Sequence, residues 1–139
     1  MLQDELEAFF HDLQDGFLDG NLESLASRFG TPLVVYSVSG VVVLHTAEDI
    51  VRRMTMYREA LLALTAREGR FELVSEDPLI NNRLRVTVRA IYTGHDGREV
   101  TNSLARYFLV RRDAELVVEM IEYLEPAISS DETDQNIFH

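Results

Sequence analysis

The stretch LRVTVRAIYTGHDGREVTNSLARYFLVRRDAELVVEMIEYL, residues 84–124, decides the fold. Three runs in it alternate apolar with polar residues: Leu84 to Thr93, Val100 to Arg111, and Leu116 to Leu124. Alternation with a period of two is the mark of a strand with one covered face. Gly94-His95-Asp96-Gly97-Arg98 suits a type I turn closed by a glycine bulge, which pairs Gly94 with Arg98. Arg112-Asp113-Ala114 reads as a second turn of the same length, pairing Arg111 with Glu115. Carried along the ladders, these turns set Ala90 opposite Asn102, Val86 opposite Arg106 and Leu104 opposite Glu122. Both turns then put even-numbered residues on one face, the core side, and a slip of one residue would turn a strand over.

Four polar residues interrupt that core side: Tyr92, Asn102, Arg106 and Glu122. Asn102 and Arg106 are the diagonal neighbours of Glu122, within reach of long side chains. A charge on a covered face needs a partner or water, so this cluster is the candidate site. The odd-numbered face mixes Tyr107, Ile121 and Tyr123 with arginines, too apolar for a plain solvent face. A homodimer interface through Tyr107, Ile121 and Tyr123 is the expectation.

Upstream, Leu2, Leu6, Phe9, Phe10, Leu13 and Phe17 recur at helical spacing, and Gly20 ends that helix. Asn21 suits the cap of a second, short helix running to Phe29. Leu33 to Val38 and Val41 to His45 flank Ser39-Gly40 as a hairpin, apolar on both faces and so expected to be covered on both. Thr46 heads a capping pattern before a third helix that carries Ile50, Met54, Tyr57 and Leu61 on one side. Phe71 to Asp77 is a less regular strand broken by Pro78. The element order α-α-β-β-α-β-β-β-β predicts one α+β domain, an antiparallel sheet with its helices on one face. It is expected over 1–128, with the polar, acidic stretch 129–139 as a disordered tail.

Charge narrows the partners. Thirteen basic residues, every one an arginine, stand against 24 acidic ones, a net charge of -11. Such a field repels nucleic acid and acidic membranes, and no basic run exceeds two residues. Without lysine or cysteine there is no Schiff base, thiolate or disulfide. The longest apolar run, Val41 to Leu44, has strand length, and the acidic N-terminus lacks the pattern of a signal peptide, so a cytoplasmic location is expected. No histidine pair has metal-ligand spacing, and no phosphate loop, dinucleotide fingerprint or Ser-His-Asp order occurs, so neither metal nor cofactor is expected.

The element order, the Thr46-capped third helix and the last strand, Leu116-Val117-Val118-Glu119-Met120-Ile121-Glu122-Tyr123-Leu124-Glu125, resemble the nuclear transport factor 2-like superfamily over residues 2–126. Its SnoaL-like polyketide cyclase and ketosteroid isomerase branch is the most similar. The resemblance implies a cone-shaped, strongly curved sheet with three helices on its concave face, enclosing a pocket, and dimers formed through the outer face. It does not imply an activity, because folds of this kind host many functions. The isomerase pattern of a tyrosine on the first helix and a carboxylate on the first hairpin is missing: phenylalanines stand on the helix, Tyr36 and Ser37 on the hairpin.

Three functions remain open. The first is a pocket for an apolar small molecule with an acidic or carbonyl group, with Arg106, Asn102, Tyr92, Tyr57 and Tyr36 as binding residues. The second is a cyclase or isomerase using Glu122 or His45 as base, with Arg106 holding a carboxylate or enolate. Against both stands the plain role of each group: a structural ion pair for Arg106 and Glu122, a strand-end backbone contact for His45, core packing for the tyrosines. The third function is a dimerisation scaffold whose inner face is closed by Phe10, Phe17, Tyr57 and Leu61. A void touching Arg106 favours the first two, and a solid core the third.

Overall fold

The computed structural model of the chain describes residues 2–127; the expected tail at 129–139 lies outside them. The elements are α1 (Leu2–Asp19), α2 (Leu22–Ala26), β1 (Phe29–Ser37), β2 (Gly40–Leu44), α3 (Ala47–Ala63), β3 (Glu68–Pro78), β4 (Arg83–Thr93), β5 (Glu99–Arg112) and β6 (Glu115–Glu125). Both the order and the α+β class match the expectation. α2 stops early, at Ala26, because Phe29 already pairs with Val118 in the sheet and Val118 N–H donates to Arg28 O at 2.8 Å; α3, expected to close at Gly69, ends at Ala63, and Gly69 lies in β3.

Helix ends follow local chemistry. Gly20 takes φ +86 after α1, and Asn21 N–H reaches back to Gly16 O at 2.9 Å, the left-handed ending that glycine allows at no steric cost. Asn21 makes no side-chain cap to α2, contrary to its expected role. Thr46 Oγ1 does accept from Asp49 N–H at 3.1 Å and opens α3. Arg58 on α3 donates to Leu18 O through Nε at 3.1 Å and Nη2 at 2.9 Å, which places a cation on the open carbonyls of α1 and ties the two helices. At Gly69 an added Cβ would stand 2.7 Å from Gln14 Nε2, so a larger residue there would push aside the Gln14 side chain that donates to Arg70 O.

The sheet order is β2-β1-β6-β5-β4-β3. All ladders are antiparallel except β1 with β6, which is parallel, so the sheet is mixed where an antiparallel one was expected. The α3 crossover explains this. It returns the chain so that β3 runs with β2, and after the three-strand meander β6 runs with β1. The β1–β6 ladder breaks between Phe29 and Val34, where Pro32 has no N–H to give.

The register departs from the sequence expectation. The Gly94–Arg98 turn forms as expected, with Gly94 N–H to Arg98 O at 3.0 Å and Gly97 at φ +78. Val100 is then left out of the ladder: Thr93 pairs with Glu99 but Tyr92 with Thr101. That bulge turns β5 over, so Ser103, Ala105, Tyr107 and Leu109 share the face of Val86, Val88 and Ala90. The second turn has two residues, Asp113 and Ala114, both at positive φ, and joins Arg112 to Glu115. A further bulge at Glu119 moves β6 from Leu116 and Val118 inward to Ile121 and Tyr123 inward. Arg106 pairs directly with Glu122, and both lie on the outer face. The β1–β2 hairpin is covered on one side only. Leu33, Val35, Val42 and Leu44 are buried, whereas Tyr36, Val41 and Val43 are exposed.

One face of the sheet carries all three helices, and between them lie the fully buried Leu6, Ile50, Leu61, Val86, Leu109 and Val118.

Candidate functional site

Between helices and sheet the core is not filled: a cavity of about 130 Å³ remains. Its walls follow from helical spacing. Phe10, Leu13, Gln14 and Phe17 form one face of α1, and Ile50, Arg53, Met54 and Tyr57 one face of α3. The sheet supplies Ala90 and Tyr92 from β4, Tyr107 from β5, and Ile121 and Tyr123 from β6. Leu33, Val35, Val42 and Leu44 close the β1–β2 end.

Four of the five tyrosines of the chain line this cavity, Tyr57, Tyr92, Tyr107 and Tyr123. Tyr57 hydrogen-bonds with Ser103 and with Tyr92, and Tyr107 with Tyr123. Ser103 is itself buried, so the phenols form a polar seam inside an apolar wall. Burial raises all four, with Tyr107 pushed up to about 12. They therefore keep their protons at neutral pH and act as donors, not bases. Ring contacts hold them: Phe10 meets Tyr107 edge-on at 5.0 Å and Phe17 lies 5.6 Å from Tyr57.

Arg53 is the one charged residue among the described lining residues, and its Nη1 is buried. Burial, and after it the neighbouring Arg52, draws Arg53 below the ordinary guanidinium value, with Asp49 opposing. A guanidinium so placed stays protonated at any physiological pH. Among the described residues no carboxylate or imidazole lines the cavity.

The structure brings together only part of the expected site. Tyr57 and Tyr92 line the cavity. Tyr36 lies on the exposed side of β1. Arg106 Nη1 bonds Glu122 Oε1 at 3.1 Å on the outer face, with side chains 40% and 38% exposed, because the Val100 bulge reversed β5. Asn102 is on that face too, accepting from Arg89 and donating to Glu99 Oε2 at 2.8 Å. His45 is exposed beyond the end of β2. That reversal puts Tyr107 inside, and the Glu119 bulge does the same for Ile121 and Tyr123, so all three line the cavity and none lies on the outer face. Association through the outer face would instead present Tyr36, Phe108 and Met120.

Sequence reasoning missed Arg53, although a signal existed: it stands three residues after Ile50 and four before Tyr57, on the apolar stripe of α3. Tyr107 and Tyr123 were placed on the wrong face, and nothing local in the sequence marks the bulge that turned them. Among the described residues no group of three or more His, Cys, Asp or Glu side chains is placed to hold a metal ion. No described helix is long and apolar enough to cross a membrane.

The model of the family described as NTF2-like protein (DUF6841) matches residues 3–121, and the chain belongs to that family. Its fold is shared with ActVI-ORFA from Streptomyces coelicolor, at 14% identity and a TM-score of 0.70 over 92% of this chain and 97% of that one. Aln2 from another Streptomyces species is similar at 17% identity and a TM-score of 0.71, over 89% of this chain and 90% of that one. A protein from Catenulispora acidiphila in complex with S-DNPA is similar at 18% identity and a TM-score of 0.67, over 88% of this chain and 92% of that one. At such identities the likeness is one of fold. No curated protein matches the sequence.

Proposed function

We propose that this NTF2-like chain is a small-molecule pocket protein, which takes an apolar ligand carrying a carbonyl or acidic oxygen. The observation that carries this is four protonated phenols, one guanidinium and the Gln14 amide set in a mainly apolar cavity wall. Such a wall offers hydrogen-bond donors to an acceptor oxygen, and its apolar remainder contributes about 25 cal/mol for each Å² of ligand surface covered. The S-DNPA complex of a fold neighbour is in keeping with a fold used to hold small molecules.

Catalysis by Glu122 or His45 has less support, since Glu122 bonds Arg106 on the outer face and His45 is exposed, both away from the cavity. A scaffold with a closed core has less support too, because the helices leave a void above the sheet.

Thermal unfolding with acetophenone, an apolar ketone, tests the proposal. A ligand at a hundred times its dissociation constant stabilises the folded state by about 2.7 kcal/mol. Acetophenone should raise the midpoint of the native chain, and Ala90→Leu, which fills the cavity from β4, should abolish the rise. No shift with the native chain, or an equal shift with the filled variant, would sink the proposal.

A further inference from the structure

We infer that two copies of this chain pair edge to edge through β2, antiparallel about a two-fold axis at Val42. This goes beyond the pocket and does not depend on it.

The two edges of the sheet are built differently. At one edge, β3 carries Glu68, Arg70, Glu72, Glu76 and Asp77, is bulged at Val74 and ends on Pro78. Its Arg70 carbonyl is taken by Gln14 of α1. Charges, bulges and prolines keep a sheet edge from pairing with another chain. The other edge, β2, has none of them: Gly40–Leu44 is uncharged, and its ladder with β1 runs from Leu44 to Gly40 without a shift.

Register defines what this edge offers. Ser37 and Gly40 close a tight hairpin, and from them the hydrogen-bonded pairs alternate, so Gly40, Val42 and Leu44 bond β1. The N–H and C=O of Val41 and Val43 therefore point away from β1. Among the described residues no strand lies beyond β2, and no turn or loop backbone bonds to Val41 or Val43. Their side chains stand 55% and 42% exposed on the outer face.

Symmetry and charge select a second copy as the occupant. Val41 and Val43 are equally spaced about Val42. A second β2 laid antiparallel sets Val41 opposite Val43 of the partner subunit, and Val43 opposite Val41 of the partner subunit. Each couple exchanges both its N–H···O bonds, and the outward valines meet side by side. Such a contact is isologous and closes at two copies. A chain at -11 repels its copy over most of its surface, and α1 carries acids from Asp4 to Asp19 with no arginine. From Phe29 to Ala47 there is no Asp, Glu or Arg, the longest uncharged stretch of the chain. Two like-charged copies can approach there with least repulsion, whereas a charged foreign strand would find no charge to answer its own.

Sedimentation of the native chain from micromolar to millimolar concentration tests this, with Val43→Pro, Val42→Cys and Phe108→Glu as variants. The monomer should pass to a dimer and no further. Val43→Pro removes an N–H that faces away from β1, so the hairpin keeps its ladder. The dimer should weaken at least about tenfold, since the two-fold doubles the lost bond. In the dimer Val42 faces Val42 of the partner subunit in a non-hydrogen-bonded pair, with Cα atoms about 4.5 Å apart, a separation a disulfide spans. In a chain without cysteine, Val42→Cys should thus give a disulfide-linked dimer under mild oxidation, and Val74→Cys on the β3 edge should not. Phe108→Glu, on the outer sheet face, should leave the dimer intact. A chain still monomeric at millimolar concentration would leave the edge to a foreign strand and overturn the proposal. Dissociation by Phe108→Glu would mean that copies meet by their sheet faces, which overturns it too, as would oligomers that grow past the dimer. Should Val43→Pro fail to fold, the Val42→Cys cross-link decides, and its absence overturns the pairing.

Discussion

Tyr57 on α3 and Tyr123 on β6 meet with ring centroids 6.4 Å apart and planes inclined by 33°. The pair joins the helix layer to the middle of the sheet at the cavity wall, and an offset contact of this kind stabilises by about 0.5–1.5 kcal/mol beyond its buried area. Because the Tyr57 hydroxyl is bonded to both Ser103 and Tyr92, the seam can be dissected by single atoms.

Tyr57→Phe keeps the ring and removes one oxygen, leaving Ser103 and Tyr92 short of a buried partner. The expected cost is about 1–3 kcal/mol in urea unfolding. Combined with Ser103→Ala, the loss should be smaller than the sum of the two single losses, since the second change removes a group the first had stranded. Simple additivity would show that the two hydroxyls do not act on each other.

Alkaline pH should loosen the fold. Tyr107 moves from 10.0 to about 12 on folding, and the other cavity tyrosines also move up. Below the unfolded value both states hold the proton, and the stabilisation is complete. Above it the unfolded chain ionises first, so stability falls as pH rises from 10.0 towards about 12. Tyrosinate absorbance from the cavity tyrosines should therefore appear together with loss of far-ultraviolet dichroism. Full ionisation while the chain stays folded would refute their burial.

The outer-face pair should matter little. Arg106 and Glu122 are 40% and 38% exposed, and exposed pairs contribute about 0–1 kcal/mol. Arg106→Met with Glu122→Leu should fold within about 1 kcal/mol of the native chain and give the same thermal shift with acetophenone. A lost shift would return the pair to the binding site.

Thr46→Ala removes the acceptor for Asp49 N–H at the start of α3 and should cost about 1 kcal/mol, most of it recovered by Thr46→Ser. Leu61→Ala, at a fully buried position on the same helix, should cost about 2–5 kcal/mol. Comparable losses from the two would mean that α3 is held by its cap as much as by its packing, and urea midpoints measure both.

What the sequence determined by itself was local. Strand β4 was expected from Leu84 to Thr93 and runs from Arg83, and the Thr46 cap and the Gly94–Arg98 turn formed as read. Each of these depends on residues adjacent in the chain: a side-chain period, a cap oxygen, a glycine that takes positive φ. The family likeness was legible for the same reason, since element order is a sum of local signals. Tertiary structure alone decided which face is which. Val100 and Glu119 drop out of their ladders, and each omission exchanges inside for outside along the rest of a strand. Nothing local distinguishes these two residues from their neighbours, because a bulge answers to the curvature needed to wrap a sheet around helices packed on it. That curvature sent Arg106, Asn102 and Glu122 outward and brought Tyr107 and Tyr123 inward. The cavity is likewise a property of the assembled layers: its walls come from α1, α3 and the sheet together, and the space between them belongs to no segment of the chain.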